Sequence, residues 1–507
     1  MKIITVLGAF MRILIAISLT KLARHQVKCQ LVNPVLDTLG DNDSFEPSVG
    51  ASAFDTRGDA LAGCPQVPGV PVVSGRAYVK YVSPDTGTSS NIDLVSGRES
   101  QAVDRLVSIG FNLTKPTLLY SHGWQESAEF GWLQTIRERY ATQYPAGEKP
   151  FNLLQFDWSQ ASHYMYPQAV LSAPFLGKRL GSFFNSMNHR YNYTMDNLHM
   201  IGFSLSTHII GAAGNELKRA GNIAKQITAL DSAGPCFYTS SPFARANTLA
   251  ANAAQNVVAR HYGDDKYGAR APIGGVDIYV NGGKNQPVTS MVGGRSRSKR
   301  DVPDAAGLRD HISTVYHEYN TVAERGDQIC HSVAYRCESY AKFLHGGCAS
   351  CNSPTDCYHI GSFLQTERIS ELMPYPPGTR MFIQAGPSQR CLHHYQVVIE
   401  PKSSASDNTM NLLESGRAQL DLGSGAVATA KGQTTCADGS TAYTALVTSP
   451  VELTPTSASI RSIPSGDIAA VQLNYMSHED ASVRAAKSST LCPRGNKLAP
   501  GRCYSTC

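Results

Sequence analysis

Between about Val72 and Gln384 the sequence alternates short apolar runs with longer amphipathic stretches, and no other feature restricts the fold as much. Thr117-Leu-Leu-Tyr-Ser121, Asn152-Leu-Leu-Gln-Phe156, Leu198-His-Met-Ile201, Ile223 to Leu230 and Val276-Asp-Ile-Tyr-Val280 read as short buried strands. Trp132 to Ala141, Phe175 to Asn188 and Thr207 to Ala220 carry apolar residues at helical spacing. Strands without a polar face need cover on both sides. Alternating with helices, they imply a mainly parallel sheet between helical layers. After about Arg390 the texture changes. His394 to Glu400, Thr441 to Val447 and Ile468 to Tyr475 alternate like half-buried strands, separated by Ser, Thr and Gly turns. The expectation is an α/β domain over 72–384 and an all-β sandwich over 385–507, and a chain of 507 residues suffices for two cores.

Met1 and Lys2 precede a mainly apolar run from Ile3 to Leu19, the layout of a secretory signal, placed here at 1–28. Arg12 interrupts that run, so as a retained anchor it would span a bilayer poorly. Residues 29–71 are rich in Pro, Gly, Ser and Asp and read as a loosely ordered leader. A net charge of +5 spread over this length offers no basic stripe for nucleic acid. Thirteen cysteines suit an oxidising compartment, and the odd count leaves one free, removed with the signal, or paired between chains. Cys348-x-x-Cys351 is half of a zinc spacing, but no second pair completes it, so no metal is expected. Asn112-Leu-Thr114 and Asn192-Tyr-Thr194 are glycosylation sequons, in keeping with secretion.

The chemistry concentrates where strand Leu198–Ile201 runs into Gly202-Phe-Ser204-Leu-Ser206 and then a helical pattern. A sharp strand-to-helix turn exposes a serine hydroxyl beside a helix N-terminus, which favours negative charge. Ser206 stands where G-x-S-x-G has its second glycine. His122-Gly-Trp124 follows another strand, so the amides of Trp124 and Leu205 are candidate oxyanion donors, with His122 buttressing that loop. Asp231 ends a strand 27 residues after Ser204, and His331 follows 100 residues later in Cys330-His-Ser. The order Ser, Asp, His is that of an α/β-hydrolase triad. Each member has a blander reading. G-x-S occurs in helix caps, Asp231 can cap a turn, and His331 can be a surface histidine beside a disulfide. His208, on the helix after the serine, reads as a packing or solvent residue.

His122-Gly-Trp124, Phe156-Asp-Trp-Ser159, Ile201 to Gly214 and Leu230-Asp-Ser-Ala-Gly-Pro235 together resemble the pancreatic-lipase family. Gly274 to Asp277, Asn281-Gly-Gly283, Gln286-Pro287 and the Cys348 and Cys357 pair before Ile360-Gly361 continue the resemblance in order, over about 76–365. The resemblance implies an extracellular lipase or phospholipase A1 with an α/β-hydrolase fold and a C-terminal β-sandwich that presents it to lipid. Its implied roles are Ser204 as nucleophile, His331 as proton relay, Asp231 as orienting carboxylate, and no cofactor. The implied partner is a lipid substrate at a membrane or droplet surface, triacylglycerol and phospholipid both remaining open. Where the family often has calcium-holding aspartates, Thr248 to Ala254 offers alanines, Ala250 and Ala253 among them, so no calcium site is expected. Val288 stands where the family closes its lid loop with a cysteine, and His331 follows Cys330 with no residue between. Val288 to Ile329 reads as a long exposed loop, and Arg297-Ser-Lys-Arg300 resembles a furin-type processing site cut after Arg300. A Cys236–Cys330 disulfide is one way to keep the fragments joined. The competing function is a secreted lipid-binding or storage protein that has lost catalysis on the same scaffold.

Overall fold

The computed structural model describes residues 75–507 apart from 130, 240, 265–266, 288–304, 323, 325–328, 388–389, 423–425 and 504. The expected signal and leader, the basic run and Arg300 lie outside the described residues. Among the described residues, no helix is long and apolar enough to cross a membrane.

Two compact units divide the chain, the first built from residues up to Asp277, Gly283–Tyr319 and Ser362–Gly378. Its strands are β1 (Ala77–Val82), β2 (Ser89–Leu94), β3 (Thr117–Ser121), β4 (Asn152–Asp157), β5 (Leu198–Phe203), β6 (Gln226–Leu230) and β7 (Asn256–His261). They lie in the order β2-β1-β4-β3-β5-β6-β7. The run from β4 to β7 is parallel, while β1 is antiparallel to both β2 and β4. Every residue of β3 to β7 is buried, which is why β3 to β6 read as short buried strands, whereas β7, with Asn256, Arg260 and His261, is not among the strands expected. Helices α1 (Glu99–Ser108), α2 (Trp132–Gln143), α3 (Tyr166–Tyr191) and α4 (Ser206–Arg219) supply the cover. Close packing of α3 on α4 depends on glycine, since a Cβ on Gly181 would lie 2.6 Å from that of Glu216.

Helix α5 (Ala305–Thr321) lies within what the sequence presents as an exposed loop, Val288 to Ile329. Thr314, His317 and Glu318 on it are fully buried, so the loop expectation is corrected for this stretch.

The second unit takes Ile278–Gly282, Asn320–Gly361 and Thr379–Cys507. The expected boundary at 384/385 is therefore not where the compact units part. Asn320–Gly361 belongs with the C-terminal residues. This unit holds a six-stranded antiparallel sheet that includes His393–Pro401, Thr441–Ser449 and Ile468–Tyr475, together with a three-stranded sheet. Tyr395, Val397 and Ile399 from the larger sheet share one core with Leu420 and Ile460 of the smaller, as a sandwich requires. Five disulfides staple the unit: Cys330–Cys391, Cys337–Cys348, Cys351–Cys357, Cys436–Cys507 and Cys492–Cys503. Cys348 and Cys351 are thus committed to different disulfides, and Cys330 pairs with Cys391 rather than with Cys236.

Candidate active site

β5 ends in a turn so tight that Ser204 takes φ +56°, a left-handed conformation rare for a residue with a side chain. Gly202 makes this turn possible, because a Cβ there would come within 2.9 Å of the Ser206 backbone. Ser206 has its own task. Its hydroxyl accepts the Phe203 N–H at 2.9 Å and lies 2.9 Å from the Ser121 carbonyl at the end of β3. The hydroxyl that departs from G-x-S-x-G therefore ties the turn to the neighbouring strand.

Asp231 leaves β6 at φ +47°, fully buried. Its Oδ1 accepts the N–H groups of Tyr262 at 2.7 Å and Gly263 at 3.2 Å. Its Oδ2 receives His311 Nδ1 at 2.6 Å, and His311 Nε2 lies 2.8 Å from Ser204 Oγ. Gly268 is required beside this carboxylate, since a Cβ would sit 2.7 Å from both oxygens. In the tautomer that gives Nδ1–H to Asp231, Nε2 is the ring nitrogen left to accept from the serine hydroxyl.

His311, not His331, completes this group, and the sequence expectation for the histidine is corrected. His331 Nδ1 is held by Glu479 Oε2 at 2.6 Å, and its ring stacks on His478 with centroids 4.1 Å apart. A signal for His311 exists in the sequence. Arg309-Asp-His-Ile-Ser313 opens a stretch with helical apolar spacing, 80 residues after Asp231. Asp310 anchors the start of this helix by accepting the N–H groups of Asn285 and Gln286, both at 2.9 Å. Glu318, two turns later, accepts Tyr120 Oη–H at 2.5 Å and pairs with Arg260 at 2.6 Å, all side chains buried.

Trp124 and Leu205 lie on the two turns flanking Ser204. Among the described residues, neither backbone N–H is engaged by a protein acceptor. The Trp124 turn is tied down by side-chain and backbone hydrogen bonds. Trp124 Nε1 donates to the Tyr164 carbonyl at 2.9 Å, and Gln125 N–H donates to that of Ser162 at 3.1 Å. His122 buttresses it from behind, its ring stacked on Trp158 with Nε2 accepting the Trp158 N–H at 3.1 Å. Burial holds the His122 pKa down at about 4, against the pull of Asp157, so the ring is neutral and its 3.8 Å approach to Asp157 is not an ion pair.

His208 is buried, with Nδ1 accepting the Leu249 N–H at 3.1 Å and Nε2 facing the Ala233 carbonyl at 2.9 Å. That places it in packing rather than in solvent. The alanine-rich stretch is anchored by this bond and by Lys218 Nζ, which donates to the Asn252 carbonyl at 2.9 Å. Asn112 and Asn192 are both exposed.

A family model described as Lipase matches residues 88–386. Lipoprotein lipase of Gallus gallus is 27% identical over 310 residues, covering 59% of this chain and 59% of that one. Hepatic triacylglycerol lipase of Oryctolagus cuniculus is 28% identical over 306 residues, covering 59% of this chain and 58% of its own. The chain thus spans less than two thirds of the length of these relatives. Among solved structures, an esterase of Pyrobaculum calidifontis shares 12% identity over 36% of this chain and 66% of that one, with a TM-score of 0.22.

Proposed function

The chain belongs to the pancreatic lipase family, and from that premise we propose that it is a secreted serine hydrolase cleaving carboxylic ester bonds of lipids. The observation that carries this reading is His311 held between Ser204 Oγ at 2.8 Å and Asp231 Oδ2 at 2.6 Å. Ser204 Oγ attacks the acyl carbonyl carbon while its proton passes to His311 Nε2. The resulting oxyanion meets the amides of Trp124 and Leu205. The bond to the alcohol oxygen then breaks, and Nε2 returns the proton to that leaving group. Water repeats the sequence on the acyl-enzyme, releasing the acid and restoring Ser204. Tyr164 and Met165, 43% and 62% exposed beside the Trp124 turn, offer an apolar rim on which lipid can lie.

Five disulfides and two exposed sequons at Asn112 and Asn192 support secretion and glycosylation. Activity is expected to be independent of calcium, because Ala250 and Ala253 bring no carboxylate to their loop and Lys218 already binds its Asn252 carbonyl. Turnover with and without a chelator checks this, and a calcium-reversible loss would contradict it.

The main test is turnover of short- and long-chain acyl esters by purified protein. Ser204→Ala and His311→Ala should each lower kcat by about a thousandfold or more, while His331→Ala retains turnover. Full activity in Ser204→Ala would end the proposal.

A further inference from the structure

The turn that carries Trp124 contains an acidic residue that no step above uses. Glu126 Oε2 accepts the Gly123 N–H at 2.8 Å and the Trp132 Nε1–H at 3.2 Å. Its backbone carbonyl accepts the Ser162 hydroxyl at 2.8 Å. Between Trp124 and Glu126, Gln125 sits at φ +62°, a left-handed conformation that is unfavourable for a residue with a side chain. Backbone preference therefore does not hold this turn. Its shape depends on the groups bonded to it. Gly123 is confined on its other side, since a Cβ there would lie 3.0 Å from the Phe203 ring. That ring in turn packs against His311, with centroids 4.9 Å apart. The carboxyl thus grips the peptide immediately before the Trp124 amide, at the wall that borders the histidine.

We infer that Glu126 is a positioning residue: by holding the Gly123 amide it aims the next amide, that of Trp124, at the site of the ester oxyanion. The inference rests on Ser204 being the nucleophile. A charged acceptor makes a hydrogen bond roughly twice as strong as a neutral one, so the peptide it binds has little freedom. Donors fixed beforehand stabilise developing charge without reorganising during the reaction, and losing such a donor costs a large part of the rate. Burial raises the Glu126 pKa, while the Gly123 and Trp132 hydrogen bonds and the nearby His311 oppose that rise. A carboxyl oxygen accepts in either protonation state, so the amide of Glu126→Gln can take over the grip.

The experiment uses the full-length protein, a water-soluble short-chain ester, and amide exchange followed by mass spectrometry on the peptide containing Gly123. Glu126→Ala should lower kcat by about 10- to 100-fold with KM within about threefold. Glu126→Gln should recover most of that loss, and exchange at Gly123 should rise only in the alanine variant. Equal losses in the two variants, a change in KM alone, or unchanged exchange in Glu126→Ala would overturn the inference. If Glu126→Ala is not secreted, Glu126→Asp, whose acceptor is one methylene short, must show the same kcat loss. Wild-type protein that neither turns over ester nor is labelled at Ser204 by a phosphonate would defeat the hydrolase reading. The exchange measurement would still decide whether Glu126 holds the turn.

Discussion

His311 and His331 are both buried histidines bound through Nδ1 to a carboxylate, yet their partners give them different work. Asp231 leaves Nε2 of His311 aimed at a hydroxyl, whereas Glu479 holds His331 within a stack of histidine rings. Burial alone would raise the Glu479 pKa, but the His331 hydrogen bond and the field of His359 and His331 override it and hold the carboxyl at about 2. A carboxyl depressed in the folded state contributes stability that is present above its ordinary pKa and lost as pH falls through the folded one. Here that window runs from 4.5 down to about 2. Glu479→Gln is therefore expected to destabilise the second unit by about 3 kcal/mol at pH 6, with the difference fading as pH approaches 2. Denaturant titrations at pH 6 and pH 3 read this directly. A difference that does not shrink on acidification would show that charge is not what the pair contributes.

Helix α5 shows at the level of elements why part of the site was hidden. β3 and the strand Val276–Val280 match their apolar runs residue for residue, and α4 begins within a residue of its expected start. Such segments are legible because their buried faces are apolar. The buried face of α5 carries Val315 but also His311, Thr314 and Glu318, and the hydrogen bonds of His311 and Glu318 are long-range, so its apolar spacing does not mark which polar side chains turn inward. Ser204 and Asp231 were legible because turn chemistry marks strand ends, while a histidine on a polar-faced helix has no such punctuation. Pro174 similarly made α3 look shorter than Tyr166–Tyr191, since the helix continues through it. The polar face also predicts where the element is vulnerable. Glu318→Ala would leave Arg260 a buried charge without its carboxylate, and breaking such a pair typically costs about 3–5 kcal/mol. Thermal unfolding should drop by several degrees or more, with His311 losing its register against Ser204. A melting temperature within a degree of wild type would show that the pair does not anchor the helix.

The covalent map of the whole molecule changes what cleavage after Arg300 would do. All ten cysteines beyond that position are consumed in five disulfides among themselves, so no disulfide bridges the cut. Ser204 and Asp231 precede Arg300, whereas His311 follows it by eleven residues. A processed enzyme would therefore assemble its triad from two polypeptides. Within the first unit, buried contacts already tie the later piece to the earlier one, through Glu318 to Arg260 and Tyr120 and through His317 to the Tyr262 hydroxyl at 2.6 Å. Internal hydrogen bonds and packing of this kind survive a nick in the chain, as tolerated cuts at exposed loops generally require. We expect secreted protein from cells with an active furin-type protease to be cut after Arg300 in at least part of the population. The fragments should comigrate under native conditions, separate under denaturing conditions without reductant, and retain ester turnover when together. Replacing Arg297 and Arg300 with alanine should leave one chain. Fragments that part only when a reductant is added would refute the disulfide map, and a single uncut chain from such cells would refute the processing.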